Sequence, residues 1–136
     1  MKRRKPIKRR SSKTAMMRKC DALWSKAVHK KWGERCAVEV LGATHTRCSG
    51  PLQAHHIITR SVRHLRHDMR NGLLLCVWHH KFSPYFSAHG GPASFFGWLE
   101  RAYPAVGDLK REQWEMVKPD YDALLERLNE KVEVPK

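Results

Sequence analysis

Two short apolar runs carry polar residues at fixed places, and they constrain this chain more than any other feature. LQAHHII (52–58) and NGLLLC (71–76) both read as short strands, the second opened by a turn. The basic stretch Thr59 to Arg70 separates them, and a helix is expected from about Val77 to Ser83-Pro84. His55 and His56 are neighbours on the first strand. Adjacent strand residues point to opposite faces, so their roles must differ. Asn71 starts the second strand and His80 lies on the helix after it. The centre of the chain therefore reads as strand, loop, strand, helix.

The 136 residues suit one compact domain, read here as 14–136. Residues 1–13, MKRRKPIKRRSSK, hold eight Lys or Arg and no acid. Such a segment cannot bury apolar surface and is expected to be a disordered basic arm. From Thr14 the pattern turns helical, with Met16, Cys20, Leu23, Trp24 and Ala27 on one face and Gly33 as a stop. Cys20 lies on that apolar stripe and reads as core. Arg35 to Leu52 reads as turns and short extended pieces, punctuated by Gly42, Gly50 and Pro51. Toward the C-terminus, helices are expected over about 91–130. Pro92 suits a first helical position, with Phe95, Phe96 and Leu99 on its apolar face. A segment with Trp114 and Val117 follows. Pro119 separates it from a last helix carrying Tyr121, Leu124, Leu125 and Leu128. All of these read as packing elements.

A formal net charge of +14 points to a polyanionic partner, with nucleic acid ahead of a membrane surface. No apolar run is long enough to span a bilayer and no segment resembles a signal peptide, so a soluble, cytoplasmic protein is expected. Lys2, Arg3, Arg4, Lys5, Lys8, Arg9 and Arg10 of the arm are candidate phosphate contacts, or a solubilising tail. Arg60, Arg63, Arg66 and Arg70 crowd the loop between the motif halves and are candidates for DNA contact. His64 and His67 in that loop read as solvent or phosphate contacts.

The combination of AHHI (54–57), NGLLLC (71–76) and HHKF (79–82) resembles the HNH endonuclease motif, the ββα-metal fold, over about Cys36 to Phe82. An α+β fold is therefore expected, with a small ββα-metal core at about 36–83 and flanking helices. The resemblance implies that His55 binds a catalytic metal and His56 is the general base. It also implies that His80 is a second ligand and that Asn71 braces the loop. His89 is a further candidate ligand, or a loop histidine. A neutral imidazole can take the proton of an attacking water at physiological pH, and a divalent cation can neutralise charge growing on the phosphate. Magnesium is abundant; imidazole ligands favour manganese, nickel or zinc. The run HHKFSPYFSAHGGPASFFGWL is similar to phage-encoded HNH nucleases of the Ref and NinG recombination type. That likeness implies a phage or mobile-element source, a bacterial or phage-infected host, and a recombination protein or filament as possible partner.

Many HNH proteins hold a structural zinc between two Cys-x-x-Cys pairs, and neither pair is intact here. Ala-Val-Glu39 follows Cys36 and Val-Trp-His79 follows Cys76. Histidine is a normal zinc ligand, and Cys48 can supply the missing thiolate. The expected set is Cys36, Cys48, Cys76 and His79; the alternative is three buried apolar cysteines. The rival function is a non-catalytic, zinc-stabilised DNA-binding or recombination accessory protein, which would not need His56.

Overall fold

The computed structural model describes residues 2–3, 12–43 and 46–133. Among the described residues, five helices pack with a two-stranded antiparallel sheet, giving an α+β fold with a ββα core. The order is α1 (Ser12–Lys31), α2 (Ala37–Val40), β1 (Leu52–His56), β2 (Gly72–Cys76), a one-turn π-type segment (Trp78–Phe82), α3 (Pro92–Ala102), α4 (Ala105–Glu112) and α5 (Tyr121–Val132).

The apolar stripe of α1 buries Cys20, Trp24, Ala27 and Val28. The helix packs against α5 on one side and the sheet on the other. It ends where Gly33 and Glu34 both take left-handed backbone angles, φ 63° and 56°. Glycine does this freely, while Glu34 is strained.

In the sheet, His55 lies opposite Leu73 and His56 opposite Gly72. All five residues of β2 are buried, with α1 and α2 packed against the strand. Leu73, Leu74 and Leu75 each contribute about 1.5–3 kcal/mol by leaving water. At Gly72 the side chains of α1 approach the strand closely. A Cβ there would lie 2.4 Å from Val28 Cγ2 and 3.0 Å from Trp24 Cζ2. The Gly72 carbonyl also accepts Trp32 Nε1–H at 2.9 Å.

Beyond β2 the chain makes one wide turn, closed by Ser83 N–H to the Trp78 carbonyl at 2.9 Å. Ser87, fully buried, then staples the loop that follows. Its hydroxyl donates to the Ser83 carbonyl at 2.7 Å and accepts from Gly90 N–H at 2.8 Å and Gly91 N–H at 3.2 Å. Pro92 sits in the first turn of α3, as its missing N–H favours.

Three sequence expectations are corrected. The stretch Arg35 to Leu52 contains a helical turn, α2, which buries Ala37 and Val38. Trp114 and Val117 are not packing residues: α4 ends at Glu112 after burying Val106 and Leu109, and both side chains lie exposed, Trp114 by 80%. Asn71 does not begin β2 but closes a 3-10 turn, Met69–Asn71, immediately before it. Of the basic arm, Lys2 and Arg3 are exposed and without secondary structure, while Arg4, Lys5, Lys8, Arg9 and Arg10 lie outside the described residues. No described helix is long and apolar enough to cross a membrane.

Candidate metal centres and catalytic groove

Two clusters of ligand-type side chains meet at the π-type turn, which sends His79 to one and His80 to the other. In the first, Cys36, Cys48, Cys76 and His79 bring their donor atoms within 4.8 Å of one another. His79 Nδ1 lies 3.6 Å from Cys36 Sγ, 3.7 Å from Cys48 Sγ and 3.2 Å from Cys76 Sγ. A tetrahedral site with Zn–S of about 2.3 Å and Zn–N of about 2.0–2.1 Å keeps sulfur and nitrogen roughly 3.6 Å apart. The donor set therefore fits a tetrahedral ion. His79 Nε2 pairs with Thr46 Oγ1 at 2.6 Å. With Nε2–H donating to that hydroxyl, the Nδ1 lone pair faces the three sulfurs.

The local chain explains the gathering. Cys36 lies just before α2, and Cys76 ends β2. Cys48 is brought alongside by Trp78 N–H to the Ser49 carbonyl at 3.2 Å and Val77 N–H to the Pro51 carbonyl at 2.9 Å. Gly50 takes φ 83° in between, where a Cβ would meet Val77 Cγ1 at 2.1 Å. Burial pushes the Cys36 thiol up; burial and the neighbouring thiols push Cys48 up. A bound cation reverses that preference, because thiolate is the ligand form.

The second cluster is His55, His80 and His89, again with donors within 4.8 Å. His55 Nδ1 faces His80 Nε2 at 3.2 Å. Two nitrogens ligating one ion at about 2.0–2.1 Å stand roughly 3–3.4 Å apart. His80 Nδ1–H donates to Gln53 Oε1 at 2.6 Å, which leaves its Nε2 with the lone pair. His55 Nε2 is buried with no hydrogen-bond partner. Burial and the neighbouring imidazoles lower His55 to about 3; burial, His89 and Lys81 lower His80 to about 4. Both are thus neutral near pH 7, the form that ligates. His89 is held over the pair by its own N–H to the His80 carbonyl at 3.0 Å, and is the exposed member.

His56 leaves β1 on the opposite side, yet both histidines border one open groove of ≈ 930 Å³ with Thr59, Arg60, Lys81 and Phe96. His56 Nε2 pairs with the Arg66 carbonyl at 2.9 Å. A carbonyl only accepts, so Nε2 carries the proton and Nδ1 the lone pair. The ring stacks on Trp24 at 4.0 Å between centroids, tilted by 10°. Burial lowers its pKa.

Asn71 is fully buried. Its Oδ1 accepts Ile58 N–H at 2.6 Å, and its Nδ2 donates to the carbonyls of Ile58 and Leu65, both at 3.0 Å. It spans the loop that joins the strands.

The loop's other polar residues divide sharply. Arg60 and Arg63 make no ion pair with a described residue. Arg66 and Arg70, the other two candidates for DNA contact, pair with carboxylates: Arg66 with Asp21, Arg70 with Asp68 and Glu112. His64 and His67 also depart from expectation. His64 donates to the Glu112 carbonyl at 2.7 Å, and His67, 3% exposed, pairs with Asp21 at 2.7 Å.

Gln53, Thr46, Trp24 and Asp21 were not singled out for the site in the sequence. Gln53 had a usable signal: two residues before His55 on a strand, it shares that histidine's face. Thr46 and Asp21 reach the site through tertiary contacts with no local pattern.

A hairpin-like strand pair followed by a helical turn, with histidines on both strand and turn, defines the ββα-metal class of fold. Residues 36–83 match the family model for HNH endonuclease, about a third of the chain, and that span contains both strands, Asn71, His80 and the whole Cys3His cluster. No curated protein and no solved structure matches the chain.

Proposed function

We propose that this chain is a divalent-metal-dependent endonuclease that hydrolyses DNA phosphodiester bonds, with His56 as general base. One observation carries the reading: His56 and the His55–His80–His89 cluster border the same groove. His56 Nδ1 takes the proton of the attacking water, while the Arg66 carbonyl holds the ring in the required tautomer. The lowered pKa keeps His56 unprotonated at physiological pH. A divalent cation held by His55, His80 and His89 would supply charge neutralisation at a non-bridging and the departing oxygen. Arg60 and Lys81 flank the groove and hold the backbone phosphates. Three imidazoles favour manganese, nickel or zinc over magnesium, a hard cation that prefers oxygen ligands.

Zinc is the assignment for Cys36, Cys48, Cys76 and His79, where it stabilises the fold rather than reacts. DNA as substrate is supported by the +14 charge. A phage or mobile-element source and a recombination partner are supported by the run HHKFSPYFSAHGGPASFFGWL (79–99).

The test is nicking of supercoiled plasmid by purified protein. Cleavage should require added divalent metal, stop with chelator at the catalytic site, and return with manganese. DNA binding without cleavage under every divalent ion would favour the accessory-protein reading.

A further inference from the structure

We infer that α1, which lies outside the matched unit, positions the general base, and that Asp21 is the residue that fixes it. The inference rests on the reading of His56 as base. Asp21 and Trp24 stand three residues apart on α1 and so share a face. Asp21 Oδ1 accepts Arg66 Nε–H at 2.8 Å and His67 Nε2–H at 2.7 Å, and its Oδ2 accepts Arg66 Nη2–H at 2.7 Å. Both carboxylate oxygens thus grip one guanidinium, the geometry that fixes direction as well as distance. The main chain of that same Arg66 offers the carbonyl that holds His56. Trp24 lies flat against the His56 ring, and its Nε1–H donates to the Asp68 carbonyl at 3.1 Å.

The loop Thr59 to Asp68 has no strand ladder to hold the Arg66 carbonyl in place. Asn71 anchors it at Ile58 and Leu65, on the near side of Arg66, and the Asp21 carboxylate anchors it at Arg66 and His67. Without the second anchor the carbonyl drifts, and His56 loses the partner that keeps the proton on Nε2. Arg66 therefore serves the active site through its backbone, with its side chain tied to Asp21 instead of a phosphate.

Asp21 is a positioning residue, acting through Arg66 and the loop rather than on the substrate. The experiment uses the full chain with its metals bound and compares wild type, Asp21→Asn and Arg66→Lys. It reads single-turnover cleavage at saturating DNA, DNA affinity, and the His56 tautomer from long-range proton–nitrogen NMR. Both variants should cut roughly ten- to a hundredfold more slowly with unchanged DNA affinity, as a displaced catalytic group does. The double variant should be no slower than the worse single, because both break one interaction. In wild type His56 should be the Nε2–H tautomer, and in the variants a mixture. Wild-type cleavage by Asp21→Asn with an unchanged tautomer would overturn the inference. So would a loss confined to DNA affinity, which would make Arg66 a phosphate contact. Should Asp21→Asn fail to fold, Arg66→Lys carries the same comparison. Wild type that does not cut would sink the reading of His56 as base, while the tautomer comparison would still decide whether Asp21 positions the ring.

Discussion

Asn71 and Ile58 bond reciprocally: the Asn71 side-chain oxygen accepts the Ile58 amide, and its nitrogen donates to the Ile58 carbonyl. A third bond reaches Leu65, so one buried side chain closes the loop between the two strands of the site. Asn71→Ala strands a buried N–H and two carbonyls, at a cost of at least ~3 kcal/mol. Asn71→Asp keeps the first bond and sets a carboxylate against two carbonyls. Thermal denaturation should show a large fall in Tm for both, with cleavage lost in parallel.

The Cys3His cluster predicts one tightly held metal per chain. Elemental analysis should find zinc at one equivalent, retained through dialysis that strips the catalytic ion. Cys76→Ser and His79→Ala should lose it and unfold at lower temperature, since binding free energy at such a site is folding free energy. Thr46→Val should weaken retention more mildly, because it frees the far nitrogen of His79 without removing a ligand.

Acid should destabilise the fold in two stages. Burial lowers the folded pKa of His67, so the unfolded chain binds its proton first, and stability falls as pH drops below the ordinary value of 6.5. Burial pushes the Asp21 carboxyl up, but bonds from Arg66 and His67 outweigh it and hold it below 3.8; Arg70 does the same for Asp68. Their contribution is present above about pH 3.8 and lost as pH falls through the folded values. Denaturant titrations between pH 7 and 3 should follow this course, with Asp21→Asn removing part of the second stage.

Arg60 and Arg63, unpaired among described residues, should behave differently from Arg66 and Arg70. Replacing either of the first two with Ala should weaken DNA binding across sequences and reduce the slope of log K against log salt by about 1 each. Arg70→Ala should leave that slope nearly unchanged and lower Tm instead, because its guanidinium ties Asp68 to Glu112. Fluorescence anisotropy over a salt series separates the two pairs.

Much of the site was legible because it is local. Strand alternation separates His55 from His56, the Cys-x-x-His-His run splits its two histidines between clusters, and Pro92 marks the start of α3. What was illegible depends on tertiary contact. The arginines of the loop look alike in sequence, and only the fold shows that Arg66 pairs with Asp21, 45 residues away. Trp114 and Val117 looked like core because they are apolar, but α4 stops before reaching them. Trp24 read as a packing residue, which it is; that the ring it packs on is His56 follows from Gly72, which leaves the space open opposite that histidine.

The most direct measurement of the central claim is plasmid cleavage in manganese by wild type and His56→Ala purified side by side, with zinc content and Tm matched. The account predicts nicking by wild type and a loss of about 10²–10⁴-fold in the variant, the range for removing a general base. Equal cleavage by the two folded proteins would contradict it.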